Sequence, residues 1–420
     1  MSSPLLSRIE AEHDAALAAQ LPGAPARARR RAALERLLAH GLPSNRDENW
    51  RYANLRPLEK ASFLPAAGAA RIMPADLPQA IDGFTRLVFV DGMFAPQLSA
   101  APGRIGTVAF SRLSGALPDH DQAFALLNEA FADDGADLQV ASGGEPAQIE
   151  VLCYGAAAGA AYPRLNVHLA PHARLRLIER HAGASHAQFI NSVVHAHVGD
   201  GATLSHYRLQ ETGAAASWAD TLRVNVARDG NYQLQLLQVG ALAARTSAAI
   251  ALTGPAARTR IDTVSLADAR QVHDHFIVVE HQSSQTRTEE NFRGIAAGRA
   301  RIGFNGLIIV REDARGADSA QSLKGLLAGP EAEIDLRPQL QIHTDEVRCS
   351  HGATTGKLDE TMLFYLLSRG IDPEVAQRLL KWAFITDVMA NTDVPALRTH
   401  VQRSLASHMQ DARSLEDLLS

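Results

Sequence analysis

The segment 228-RDGNYQLQLLQV-239 opens with a tight turn and continues as a run in which Tyr232, Leu234 and Leu236 alternate with polar residues. A turn-rich Asp-Gly-Asn followed by period-2 alternation predicts a β-strand with one face buried. The same shape occurs upstream in 170-APHARLRL-177 and 199-GDGATLSH-206, and downstream in 254-GPAARTRI-261, 297-AGRARIGF-304 and 329-GPEAEIDL-336. With Ala173, Ala202, Asn231, Ala257, Ala300 and Ala332 as markers, the spacings are 29, 29, 26, 43 and 32 residues. This is a loose internal repeat with one insertion. A single turn-and-strand unit cannot bury its own apolar face, whereas stacked units share a continuous core. The pattern therefore predicts a parallel β-helix across the middle of the chain. A β-propeller ranks second, because only 5% of residues are aromatic. A two-sheet sandwich ranks third.

Three regions follow. Residues 1–80 form an N-terminal helical region, in which LLSRIEAEHDAALAAQ and ARARRRAALERLLAH carry helical spacing and Gly41 with Pro43 ends the second helix. Trp50 and Tyr52 are expected to pin the next segment to a neighbouring surface. Residues 81–356 form the β-helix core. Residues 357–420 are helical again: Asp359 is an N-cap, Gly370 a C-terminal stop, and Asp372-Pro373 a restart. Val375, Leu379, Ala383, Phe384 and Val388 form one expected apolar stripe; Val394, Leu397, Val401 and Leu405 form another.

The composition narrows the function. A net charge of -5 argues against a nucleic-acid binder, and the one basic cluster, Arg27, Arg29, Arg30 and Arg31, reads as a solvated helix face. No run of about 18 apolar residues is present, so no membrane span is expected. The first residues lack the apolar core of a secretory signal, and two cysteines make no disulfide framework. A cytoplasmic protein is expected.

The chemistry concentrates in 348-RCSHGATTGKLDE-360. As a phosphate loop it fails, because three residues instead of four separate Gly352 from the Gly356-Lys357 pair and Leu358 stands where a hydroxyl is required. Cys349 and His351, two apart on an extended segment, face one side; both are expected to point outward from one edge. Thiolate and imidazole suit iron, iron–sulfur or zinc, but two ligands leave a site incomplete. His343 is the only nearby addition; otherwise the rest must come from another chain, or the pair is a small buried thiol beside a turn histidine. His273 and His275, a His-x-His on an expected strand with His281 further on, can form a metal pair by the same geometry, and Cys153 reads as a buried core thiol. Asp262, Asp274 and Arg287 are too scattered for the acid–base group of a β-helix carbohydrate-active enzyme, which is the alternative reading.

The block 347-VRCSHGATTGKLDETMLFYLLSRGI-371 resembles the C-terminal signature of the SufB/SufD family of iron–sulfur cluster assembly proteins. ENWRYANL (48–55), HFIVVEH, FRGIAAGRARIGFNGLIIV, SAQSLKGLL and AEIDLRPQLQI follow in the family's order. The chain length, its two cysteines and the single Cys-x-His favour the SufD branch over the SufB role itself. The resemblance implies a mainly β fold, a right-handed parallel β-helix flanked by N- and C-terminal helical regions. It implies no enzyme activity, no permanently bound cofactor, and a place for His273, His275 and His281 in the strand core and its polar rows. It implies partnership with SufB and with the ATPase SufC, a homodimer as an option in isolation, and a transient iron or iron–sulfur cluster at the interface with SufB. There His351, and secondarily Cys349, would sit across from a SufB cysteine. The C-terminal helices would dock SufC, with Phe364, Tyr365, Arg369, Ile371 and Phe384 as contacts.

Overall fold

In the computed structural model the described residues are 4–19, 24–66, 72–100, 103–113, 115, 117, 122–184, 186–389 and 392–409. The core is a parallel β-solenoid of about eight turns. Each turn contributes two strands, one to each of two facing sheets. The front sheet runs through Ala147–Gly155, Arg174–Gly183, Thr203–Thr212, Asn231–Gln238, Arg258–Ala267, Arg287–Ala296 and Ala317–Leu327 to Val347–Gly356. The back sheet runs through Arg164–Leu169, Gln188–Val198, Ser217–Val226, Ala243–Leu252, Val272–His281 and Arg301–Val310 to Glu333–Ile342. Pairing is in register along each sheet, as in Arg258 with Arg287 and Val272 with Arg301.

The 43-residue interval in the repeat is not an insertion. Ala257 precedes a front-sheet strand and Ala300 precedes a back-sheet strand, so the marker crosses from one sheet to the other after one and a half turns. The front-sheet turn between them, at Thr286, carries no alanine or glycine marker and so escapes a composition-based search. Backbone dihedrals show the repeat more evenly. His172, Gly201, Asp229, Ala256, Gln285 and Gly316 all have positive φ, one just before each successive front-sheet strand. A left-handed residue lets the chain turn sharply at each corner, and only part of that set is glycine.

Between the sheets lies a ladder of Leu, Val, Ile and Ala, including Leu175, Leu204, Leu234, Ile261, Ile277 and Ile308. Small aliphatic side chains stack rung on rung, which is why a large solenoid needs few aromatics.

Among the described residues six α-helices lie outside the solenoid: α1 Pro4–Ala19, α2 Ala24–His40, α3 Ala123–Phe131, α4 Glu360–Ser368, α5 Pro373–Met389 and α6 Pro395–His408. The first three pack with Phe63, Tyr162 and Phe189 over the early back sheet. Trp50 and Tyr52 pin their segment as expected. The Trp50 ring lies 4.2 Å from the Arg245 guanidinium, and Tyr52 fills the space left by Gly303. The arginine cluster on α2 is a solvated face only in part: Arg27 and Arg31 are exposed, Arg31 pairing with Asp14 at 2.7 Å, whereas Arg30 is buried against Asp133 and the Ala132 carbonyl and half-buried Arg29 pairs with Glu129 at 2.6 Å. Glu129 on α3, Asp133 just beyond it and Asp14 on α1 supply the partners.

Helices α5 and α6 bury Trp382, Ile385, Val388, Leu397, Val401 and Leu405 on the outer face of the front sheet. The α6 stripe is the predicted one. The α5 stripe is rotated: Ala376, Trp382, Ile385, Val388 and Met389 are buried while Ala383 is exposed. A strict i+4 series drifts by about 40° per step around a 3.6-residue helix, so 375, 379 and 383 leave the contact face. No described helix is long and apolar enough to cross a membrane.

Candidate functional site

The solenoid finishes without a cap among the described residues. Glu333–Ile342 is the last strand of the back sheet and Val347–Gly356 the last of the front, each paired on one side only. The predicted extended segment thus continues through the glycines to Gly356, and the phosphate-loop look-alike is a strand. Inward residues of this rung, Ile334, Leu336, Leu340, Val347 and Cys349, pack on the core but are only partly buried, and Ile342 is 42% exposed. An open edge with unpaired backbone groups beside an uncovered apolar end is a ready template for another chain.

Cys349 and His351 lie on this last strand, in register with Ser319 and Gln321. They share one side, as alternation requires, and Ser350 takes the other. That side is the lumen and not the outside. Cys349 packs against the solenoid core, because its strand inherits the inward parity of Ser319 and Gln321. The thiol is half-buried, and burial, with Asp318 nearby, pushes its pKa up, so it stays protonated at neutral pH. His351 is exposed at the rim. His343 is exposed too, with its backbone N–H donating to the Val310 carbonyl at 2.9 Å. Among the described residues no group of three or more His, Cys, Asp or Glu side chains is gathered to hold a metal, so His343 does not complete the pair.

Behind His351 the lumen is polar. Residues 290, 321 and 351 are in register on successive front-sheet strands. Gln321 Nε2 donates to Glu290 Oε2 at 2.6 Å, and both side chains are buried. Burial raises the Glu290 carboxyl from 4.5 to about 7, a rise that the Gln321 hydrogen bond partly opposes. Gly306 faces the pair from the back sheet; a Cβ there would lie 2.6 Å from Glu290 Oε2 and 2.8 Å from Gln321 Nε2. Sequence reading passed over Glu290 and Gln321. Their parity with Phe292 and Leu323, both inward, is the signal that could have found them.

The middle histidines are core residues, as expected. His273 bonds Ser265 and the Gly240 carbonyl, and His281 bonds Thr286 and Thr288. His275 is wedged by Phe292 and Phe304, with burial holding it neutral. Cys153 is half-buried against the core. Asp274 pairs with Arg245, while Asp262 and Arg287 are ends of one chain of ion pairs that runs Asp262–Arg260–Glu289–Arg287. A second lumen cluster was also missed. Glu179 accepts two bonds from Arg208 and one each from His181 and His206, and Arg208 donates on to Asp220. Burial alone would raise the Glu179 carboxyl, but Arg208 and the two histidines hold it well below the usual range.

At the C-terminal end, the Asp359 carboxylate accepts from the Thr361 and Met362 N–H groups, capping α4. Gly370 takes φ +82°, and Asp372 caps α5 by accepting from Glu374. Helix α4 stands off the solenoid with Met362, Phe364 and Tyr365 57%, 71% and 56% exposed. Arg369 is exposed, its guanidinium 5.2 Å from the Tyr365 ring. Ile371 is half-buried. Phe384 packs beside the front-sheet cluster, with Arg293 6.0 Å from its ring, so it belongs partly to the fold.

Comparison with known proteins agrees in kind. The family model described as SUF system FeS cluster assembly, SufBD core domain, matches residues 152–384. The chain is 30% identical over 365 residues to the iron–sulfur cluster assembly protein SufD of Escherichia coli (strain K12), covering 84% of this chain and 86% of that one. It is 25% identical to a SufBD-family iron–sulfur cluster assembly protein of Synechocystis, covering 90% of each. It is also 25% identical to the chloroplastic protein ABCI7 of Arabidopsis thaliana, covering 92% of this chain and 86% of the relative.

Proposed function

The chain belongs to the SufB/SufD family, as a SufD-type member with a role in iron–sulfur cluster assembly, and from that premise we propose that it is a non-catalytic scaffold subunit working with SufB and the ATPase SufC in the cytoplasm. The observation that carries the reading is the open last rung. Its two unpaired strand edges and half-covered apolar end offer main-chain hydrogen bonds and burial to a SufB partner. His351 stands at that rim with its ring exposed, where a neutral imidazole can meet iron, and SufB supplies the ligands this chain lacks. Cys349 is the weaker donor, since its thiol is held protonated. Iron and sulfide are cargo here, held transiently between the subunits, and no cofactor is permanently bound. Without SufB, two copies of the chain would pair through the same end.

Helix α4 is the proposed seat of SufC. Exposed Phe364 and Tyr365, with Arg369 and Ile371 at the following turn, make an aromatic-centred patch suited to an interface hot spot. Phe384 supports the patch from beneath. ATP-driven closure of two SufC copies would move α4 and α5. Helix α5 lies on the front sheet, so the motion would reach the open rung.

Co-expression with SufB and SufC tests the reading. Recovery of a three-protein complex is expected. Phe364→Ala with Tyr365→Ala should remove SufC from it, at little cost to the fold because both rings are exposed. This pair is a cleaner probe than removing residues 357–420, which would also strip α5 and α6 from the front sheet. A chain that co-purifies with neither protein would sink the partnership. His351→Ala should abolish cluster formation by the complex; full activity would reject the site.

A further inference from the structure

We propose that Gln321, held by Glu290, is a positioning residue that selects the ring tautomer of His351. This rests on the reading of His351 as the assembly-site residue, but the geometry is local. Residues 290, 321 and 351 occupy one in-register column of the front sheet, facing the lumen. Neighbouring strands lie about 4.8 Å apart, so each side chain reaches only the rung before and the rung after.

The Gln321 amide has two ends, and above the value of about 7 to which burial raises it the Glu290 carboxylate is ionised and can only accept. Gln321 therefore gives its Nε2 to Glu290, at 2.6 Å. Its Oε1 is left buried with no hydrogen-bond partner. The next group along the column on that side is the imidazole of His351. Gly306 closes the opposite side: it leaves room for the Glu290–Gln321 contact and offers no side chain to either group. A buried acceptor without a partner is costly, and a turn of the exposed His351 ring toward the lumen supplies one N–H to it. The proton is then fixed on the inward nitrogen, and the other nitrogen presents its lone pair outward from the open end. An orienting partner on the second ring nitrogen is what sets which nitrogen of a histidine can ligate.

The test is nitrogen NMR on the full chain with 15N-labelled histidine, at a pH of about 8, above the ordinary histidine range. The His351 signals are assigned by their loss in His351→Asn. One tautomer should dominate in the unmodified chain. Gln321→Leu should cut the tautomer ratio about five-fold, the factor set by one hydrogen bond of about 1 kcal/mol. Glu290→Gln, close to isosteric, frees the Gln321 amide to turn over and should also lower the ratio. Exchanging the two residues, Glu290→Gln with Gln321→Glu, restores a fixed acceptor beside His351 and should recover it. A folded Gln321→Leu chain with an unchanged ratio overturns the proposal; should that variant not fold, an unchanged ratio in Glu290→Gln does the same. Cluster formation is scored separately. If His351→Ala leaves it intact while the ratio still responds to Gln321→Leu, the assembly-site reading fails and the positioning contact stands.

Discussion

Two glutamates face the lumen of the same sheet, and they are supported in opposite ways. Glu179, in the early turns, accepts four hydrogen bonds from Arg208, His181 and His206. Glu290, one rung short of Gln321 and two short of the open end, accepts one from an amide. Residue type and burial are alike; the number of cationic partners differs. The first is locked as a charge and serves the fold. The second is held with a raised pKa beside the rung that carries His351. A buried acid in a solenoid is thus structural where its rung and the next supply guanidinium and imidazole, and available for function where they supply glycine and amide.

The sharpest way to break this comparison is to remove the partner that locks Glu179. Arg208 is fully buried between Glu179 and Asp220, donating to both. Arg208→Met keeps the length of the side chain but strands two carboxylates, so a loss of about 3–5 kcal/mol is expected. Urea unfolding at neutral pH measures it. A loss under about 1 kcal/mol would mean that the network is dispensable and that the contrast with Glu290 is empty.

Glu290 should show the opposite sign. Its folded-state pKa, raised from 4.5 to about 7, means that the folded chain holds a proton the unfolded chain has released. Its contribution is most favourable below the unfolded value and is lost as pH rises through the folded one. Glu290→Gln removes the ionisation. The variant should therefore gain about 2–3 kcal/mol relative to the parent between pH 5 and pH 8. The difference between the two chains isolates this group from the other titrations. A gap that does not change with pH would show that Glu290 is not the strained acid the lumen makes it.

The fold was largely legible because its unit repeats. The units AGRARIGF (297–304) and GPEAEIDL (329–336) lead directly into the strands observed at 301–310 and 333–342. The repeat length was readable but its phase was not, because turns in both sheets use the same small residues and the sequence does not say which sheet a turn feeds. Strands such as AARTSAAIAL (243–252) escaped because alanine makes alternation faint. At the site, the Cys349–His351 pairing on one side was legible from period-2 geometry. Its inward direction was not, since that depends on parity with Ser319 and Gln321, thirty residues earlier. Parity with Phe292 and Leu323 could have marked Glu290 and Gln321 as inward, but not as a pair: two polar residues far apart in sequence become one column only once the register is known.

The smallest expected effect on stability falls at the residue expected to matter most for function. His351 is exposed on a strand paired on one side only. Removing an exposed side chain usually changes stability by no more than about 0.5 kcal/mol, and the one hydrogen bond proposed to Gln321 adds about 1 kcal/mol at most. His351→Ala should therefore unfold in urea at nearly the same midpoint as the parent, even where it abolishes cluster formation by the complex. A stability loss above about 2 kcal/mol would exceed what that single hydrogen bond supplies and make the ring part of the fold, and any loss of assembly would then be a folding defect. Near-zero loss together with lost assembly separates the two roles that Glu179 and Glu290 illustrate: groups that the solenoid needs in order to stand, and groups that it holds out to a partner.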